Sequence, residues 1–152
     1  MSQPQYVELA RRRLEEMVSF FGVNAEVEAE AAEDRVELNV ATDATGRLIG
    51  HHGETLRALE YLLNIMMKEA APEVRFSVDI AGYRKARAEQ LTEYAKAQAA
   101  KVNETGEESV LRPMNPAERR LVHMALADSP EVETESRGEP PHRRIVIKKR
   151  SA

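Results

Sequence analysis

The spacing of hydrophobic and polar residues changes period several times along the chain, and each change marks a predicted element. Over residues 5–21, Leu9, Leu14, Met17, Val18 and Phe21 fall on one side of a helix while Arg11, Arg12, Glu15 and Glu16 fall elsewhere. Gly22 and Asn24 predict its end. Val27, Ala29 and Ala31 then alternate with Glu26, Glu28 and Glu30, and Val36, Leu38 and Val40 alternate with Glu37 and Asn39. That period of two, broken by Glu33-Asp34, reads as a hairpin of half-buried strands. A short helix around Arg47 and Leu48 comes next. A long amphipathic helix then buries Leu56, Leu59, Leu63, Met66 and Ala70, leaves Arg57, Glu60, Asn64 and Lys68 on its other side, and stops at Pro72. Phe76, Val78 and Ile80 alternate as a third strand closed by Gly82. The first unit is thus helix–strand–strand–helix–helix–strand, with the two helices after the hairpin covering one face of a three-stranded sheet.

A second unit follows. Residues 83–102 form a long Ala-rich helix with Leu91, Tyr94, Ala95 and Gln98 along one stripe, ending at Asn103-Glu-Thr-Gly106. Residues 109–112 predict a short strand. Asn115-Pro116-Ala117-Glu118 has the form of a helix start, with Asn as N-cap, Pro in the first turn and Glu three residues on. That helix runs to about Ala127. Residues 132–137 and 142–149 read as strands joined across Gly138-Glu-Pro-Pro141.

Composition narrows the function classes. The 152 residues hold 22 Lys+Arg against 26 Asp+Glu, a net charge of −4, which argues against a generic polycation that coats nucleic acid. The charge is uneven: −7 over residues 1–82 and +3 over residues 83–152, which hints at two units with different partners. Aromatic residues make up 5% and Trp is absent, so a platform stacking many bases on rings is disfavoured. Without cysteine the chain has no disulfide, thiolate zinc site or cysteine nucleophile. The N-terminal residues lack the apolar core of a secretory signal, and Leu62–Met67 falls far short of the roughly 20 apolar residues of a membrane span. These features predict a cytoplasmic protein with no membrane insertion.

Two segments carry candidate chemistry. Ile49-Gly50-His51-His52-Gly53 lies between the two helices of the first unit. Its paired glycines permit a tight turn and close approach of a ligand backbone, and the N–H groups opening the next helix would face a phosphate. Spacing alone favours a plain helix-to-helix turn, and it is the order of elements around the motif that raises the ligand-binding reading. In the second unit, Arg119 and His123 lie four positions apart on one helix face, flanking a buried side made by Leu121, Val122, Ala125 and Leu126. They could converge on a phosphate or simply form a solvated face. Arg143, Arg144, Lys148 and their neighbours make the last strand partly cationic, either for solubility or as a local positive patch beside Arg119 and His123.

Residues 5–81, with this order and the Gly50–Gly53 turn, resemble a type II KH domain, in which a G-x-x-G loop clamps the backbone of single-stranded nucleic acid and an aliphatic groove admits about four nucleotides. One departure stands out. The middle pair commonly includes Lys or Arg, whereas here it is His51-His52 followed by Glu54. Residues 83–152, with the Arg-x-x-x-His helix and basic last strand, resemble the R-3-H domain, a single-stranded nucleic-acid-binding module. The tandem is similar to the Jag family of bacterial proteins, also called SpoIIIJ-associated or KhpB-type, and looks like a short form lacking the N-terminal Jag domain. The fold class expected is α+β: a KH domain at 5–82 and a small R-3-H domain at 83–152 that includes the long helix.

The resemblance implies a non-catalytic cytoplasmic protein that binds single-stranded RNA, with single-stranded DNA as an alternative. It also implies a small KH-domain partner and a link to cell elongation and envelope growth. The residues implied in RNA contact are Arg47, Ile49, Gly50, His51, His52, Gly53, Arg119, His123, Arg143, Arg144 and Lys148. No cofactor, metal or small-molecule substrate is expected: there is no HExxH, GxSxG or P-loop pattern, and no carboxylate or nucleophile accompanies Arg119 and His123. The rival reading is a protein-interaction scaffold that dimerises with another KH protein and binds RNA weakly.

Overall fold

The computed structural model describes residues 1–151 and divides into two compact units, Met1–Arg84 and Lys85 onward. Position 152, the last of the expected second domain, lies outside the described residues.

In the first unit α1 spans Gln3–Ser19, two residues earlier than the hydrophobic pattern predicts. Polar residues set that start: the Gln5 side chain accepts hydrogen bonds from the Ser2 backbone N–H and hydroxyl, and Pro4 sits in the first turn. Strands β1 (Ala25–Ala31) and β2 (Arg35–Thr42) pair antiparallel, with Val27 opposite Val40 and Ala29 opposite Leu38. Strand β3 (Arg75–Ile80) lies parallel to β2, giving the order β1-β2-β3. A parallel return requires a crossover. It is made by α2 (Thr45–Ile49), a short 3₁₀ turn at His51–Gly53, and α3 (Glu54–Met67).

Val36, Leu38, Val40, Phe76, Val78 and Ile80 form the inner face of the sheet, packed with Leu14 of α1, Leu48 of α2, and Leu56, Leu59 and Leu63 of α3. Two expectations for α3 need correction. Met67, not Met66, completes its buried stripe, because steps of three, four and four from Leu56 lead to Met67. The helix also ends there, before Pro72. On the other side of the helix, Glu60 and Asn64 bond the backbone of β3. Asn64 brackets Phe76, accepting from its N–H at 3.0 Å and donating to its carbonyl at 2.7 Å, and Glu60 accepts from the Val78 N–H at 2.8 Å. Arg84 donates to the Val78 carbonyl and to Glu60. Side chains thereby occupy hydrogen-bonding positions on the free edge of β3 that another strand could otherwise use.

In the second unit α4 spans Tyr83–Thr105, with Tyr83 and Arg84 belonging to the first unit. It runs three residues beyond the predicted end and is capped by Gly106 (φ 76°), whose N–H bonds the Val102 carbonyl. Its buried stripe is Leu91, Ala95, Ala99 and Val102, while Gln98 accepts from the Ser109 hydroxyl. Strands β4 (Ser109–Val110), β5 (Val132–Arg137) and β6 (Arg144–Lys149) form an antiparallel sheet in the order β4-β6-β5. Helix α5 (Pro116–Leu126) starts as predicted: the Asn115 side chain accepts from the Glu118 N–H at 3.0 Å. The core joins Leu91, Ala95 and Val102 to Val122, Leu126, Ile145 and Ile147.

Candidate nucleic-acid interface

The turn between α2 and α3 is built from conformations that glycine accepts most readily. Gly50 sits at φ 72°, ψ −172°, a region essentially reserved for glycine, and its N–H bonds the Gly46 carbonyl. A Cβ on Gly50 would overlap the Thr55 hydroxyl. Gly53, buried at the start of α3, is left-handed (φ 82°, ψ 14°), and a Cβ there would lie 2.9 Å from Tyr83 Cε1. His52 between them is also left-handed (φ 51°, ψ 30°), a conformation uncommon outside glycine.

The two imidazoles of this turn lie face to face, ring centroids 3.9 Å apart and tilted by 32°. His51 is exposed and His52 half-buried. Ile49 packs partly against the core, and neighbouring Leu48 is fully buried, so α2 fixes the entry to the turn. Arg47 is exposed, with one guanidinium nitrogen donating to the Phe21 carbonyl at 3.3 Å. Sequence spacing missed three supports of the turn: Thr55 against Gly50, Tyr83 against Gly53, and Arg57, whose Nη1 donates to the His52 carbonyl at 2.9 Å. The signal for Arg57 was present, since it follows Gly53 by one helical turn and helical side chains lean toward the N-terminus.

Glu54 opens α3 next to the turn, but part of the first unit's acidic charge lies away from it. Glu26, Glu28, Glu30, Glu37 and Asp79 occupy the alternate positions of the strands, on the side of the sheet away from α2 and α3.

In the second unit, Arg119 and His123 are half-buried on α5. Arg119 Nη1 donates to the Met114 carbonyl at 2.6 Å, and His123 Nδ1 lies 2.5 Å from the Thr134 hydroxyl. Arg143 donates to the Gly138 carbonyl at 2.7 Å, and its own carbonyl accepts from the Met114 N–H.

The expected union of all the strand cations with His123 does not occur. Thr134 lies directly opposite Ile147, so both point to the side that His123 shares. Arg144 and Lys148 alternate with Ile145 and Ile147 and point to the other side, where Lys148 pairs with Glu135 at 2.6 Å. The same alternation places Val146 with them, yet it is buried rather than part of an open cationic face. Glu135 also receives Arg137, which pairs in turn with Glu108. These cations hold the Glu135 carboxyl below its ordinary value, the Lys148 hydrogen bond contributing most. Among the described residues no group of three or more His, Asp or Glu side chains is placed to hold a metal ion. No helix among them is long and apolar enough to cross a membrane.

This is an α+β protein that joins a KH domain to an R-3-H domain: residues 7–80 match the family model for the KhpA/KhpB KH domain, and residues 89–149 match that for the R-3-H domain. More narrowly, the chain belongs to the KhpB family. It is 38% identical to the RNA-binding protein KhpB of Clostridium symbiosum over 126 residues, which cover 82% of this chain and 57% of that protein. It is 36% identical to the RNA-binding protein KhpB of Lactiplantibacillus plantarum over 132 residues, covering 86% of this chain and 41% of the relative. Over 144 residues it is 27% identical to the protein of the same name from Bacillus subtilis, covering 93% of this chain and 69% of the relative. The chain spans about half the length of the first two curated relatives.

Proposed function

We propose that the chain binds single-stranded RNA and catalyses no reaction on it. The observation that carries this reading is the Gly50–Gly53 turn, a G-x-x-G loop whose backbone takes conformations that glycine accepts most readily, set at the start of α3. The relatives, which are named RNA-binding proteins, support it. In this reading Ile49 and the turn hold a few unpaired nucleotides by their backbone. Within the second unit Arg119, His123 and Arg143 grip phosphates, while Arg144 and Lys148 point to the opposite side of their sheet. The KH domain extends over residues 5–82 and the R-3-H domain from residue 83. A role as a cytoplasmic post-transcriptional regulator tied to cell elongation and envelope growth rests on family resemblance alone.

The test is fluorescence anisotropy of a labelled unstructured RNA with the full chain and with the double variant Gly50→Asp, Gly53→Asp, both checked for folding by circular dichroism. Binding by the wild type and its loss in the folded variant is the expected result. Equal affinity of the two would refute the clamp. The same RNA should stay intact on incubation with divalent metal.

A second reading, docking of another KH-domain protein on α3, is favoured by one observation. Tyr61, Leu62, Ile65 and Met66 form an apolar strip on α3 that is 40–67% exposed. Recovery of a KH protein with the wild type, but not with Ile65→Asp, in purifications from the native cells would support it. Equal recovery would remove α3 from that contact.

A further inference from the structure

We propose that Arg57 is the phosphate-binding cation of the Gly50–Gly53 turn, delivering a fixed positive charge to it from the first turn of α3. The inference rests on the RNA-binding reading and assigns a residue within it. Its guanidinium lies across the turn: Nη1 is 2.9 Å from the His52 carbonyl and would be 3.3 Å from a Cβ on Gly53. One N–H so placed leaves the rest of the planar fork for a ligand.

The state of the other arginines in this unit sharpens the assignment. Arg11 pairs with Glu8 and Glu15, Arg12 with Glu8, Arg13 with Glu16, Arg35 with Asp34 and Glu37, and Arg84 with Glu60. Among the described residues Arg57 has no carboxylate within ion-pair distance, and it is exposed. Arg47 and Arg75 also lack such a pair, but Arg47 is bonded to the Phe21 carbonyl and Arg75 lies at the start of β3. Arg57 is the arginine bonded to the turn itself. By holding the His52 carbonyl it also favours the left-handed geometry of that residue, so one side chain shapes the turn and charges it.

The experiment measures the affinity of the full chain for a short oligouridine across a range of salt, comparing wild type with Arg57→Gln, Arg57→Lys and the Gly50→Asp, Gly53→Asp double variant. Gln keeps a polar amide at this position but removes the charge. The expected result is about tenfold weaker binding for Arg57→Gln, as for one charge-assisted contact. The slope of log K against log salt should become shallower by about 0.7, the signature of one lost phosphate contact on a single strand. Arg57→Lys should keep the wild-type slope. An unchanged slope in Arg57→Gln overturns the proposal, whether affinity holds or falls. If the glycine double variant still loses binding in that case, the RNA clamp stands and only Arg57 is excluded. If neither substitution alters binding, the clamp itself fails.

Discussion

Asn64 on α3 holds the backbone of Phe76 on β3 from both ends, receiving its N–H and donating to its carbonyl as a neighbouring strand would. The same amide group donates to the Glu60 carbonyl one turn earlier on α3. One polar side chain thus completes the sheet edge and aligns α3 along it, fixing the helix whose first turn carries Arg57.

Asn64→Ala should therefore destabilise the first unit by about 2–3 kcal/mol, since it strands a backbone N–H and carbonyl that are partly shielded from water. Asn64→Asp keeps an acceptor for the Phe76 N–H but sets a carboxylate against its carbonyl, so it should not restore stability. Urea unfolding of the full chain measures both. A change below about 0.5 kcal/mol, the level of an ordinary surface substitution, would show that water replaces the amide without loss.

The two glycines of the turn should respond unequally to alanine. Gly50→Ala forces a side chain into the glycine-only region, a strain of about 1–3 kcal/mol, and adds overlap with Thr55. Gly53→Ala meets the milder left-handed penalty of about 1–2 kcal/mol and needs a shift of the Tyr83 ring. The urea midpoint should fall further for Gly50→Ala. The reverse order would mean that the Tyr83 contact, and not the backbone, limits the turn.

Hydrophobic periodicity made the element order, both cores and the site of the turn legible, because burial acts on spacing directly. It could not resolve Met66 from Met67, since adjacent positions differ by only 100° around a helix and both are apolar. Polar residues that bond backbone were also illegible: periodicity placed Glu60 and Asn64 on the polar side of α3 but could not show that they bond β3. Strand alternation did place Arg144 and Lys148 opposite Ile145 and Ile147. Relating those cations to His123 required the pairing register of β5 and β6, which single-strand patterns do not contain.

Thr134 should matter to α5 through its hydroxyl. Thr134→Val leaves the half-buried His123 Nδ1 without its partner and should cost about 1 kcal/mol, whereas Thr134→Ser should be nearly neutral. Urea unfolding separates the two substitutions. Equal losses for Val and Ser would assign the effect to packing of the Thr methyl group.

Acid should expose the ion network on the far side of the second sheet. The Glu135 carboxyl is held below its ordinary value of 4.5, first by Lys148 and then by Arg137. A carboxylate lowered in the folded state binds fewer protons there than in the unfolded chain. Its stabilisation is therefore complete above about pH 4.5 and is lost as pH falls from there through the lowered folded value. Glu135→Gln removes this component, so the gap in urea midpoint between wild type and variant should narrow as pH drops below 4.5. Because these side chains are solvated, the gap above that pH should also shrink as salt is raised. A gap that stays constant with pH would show that Glu135 supports the sheet through its packing and not through its charge.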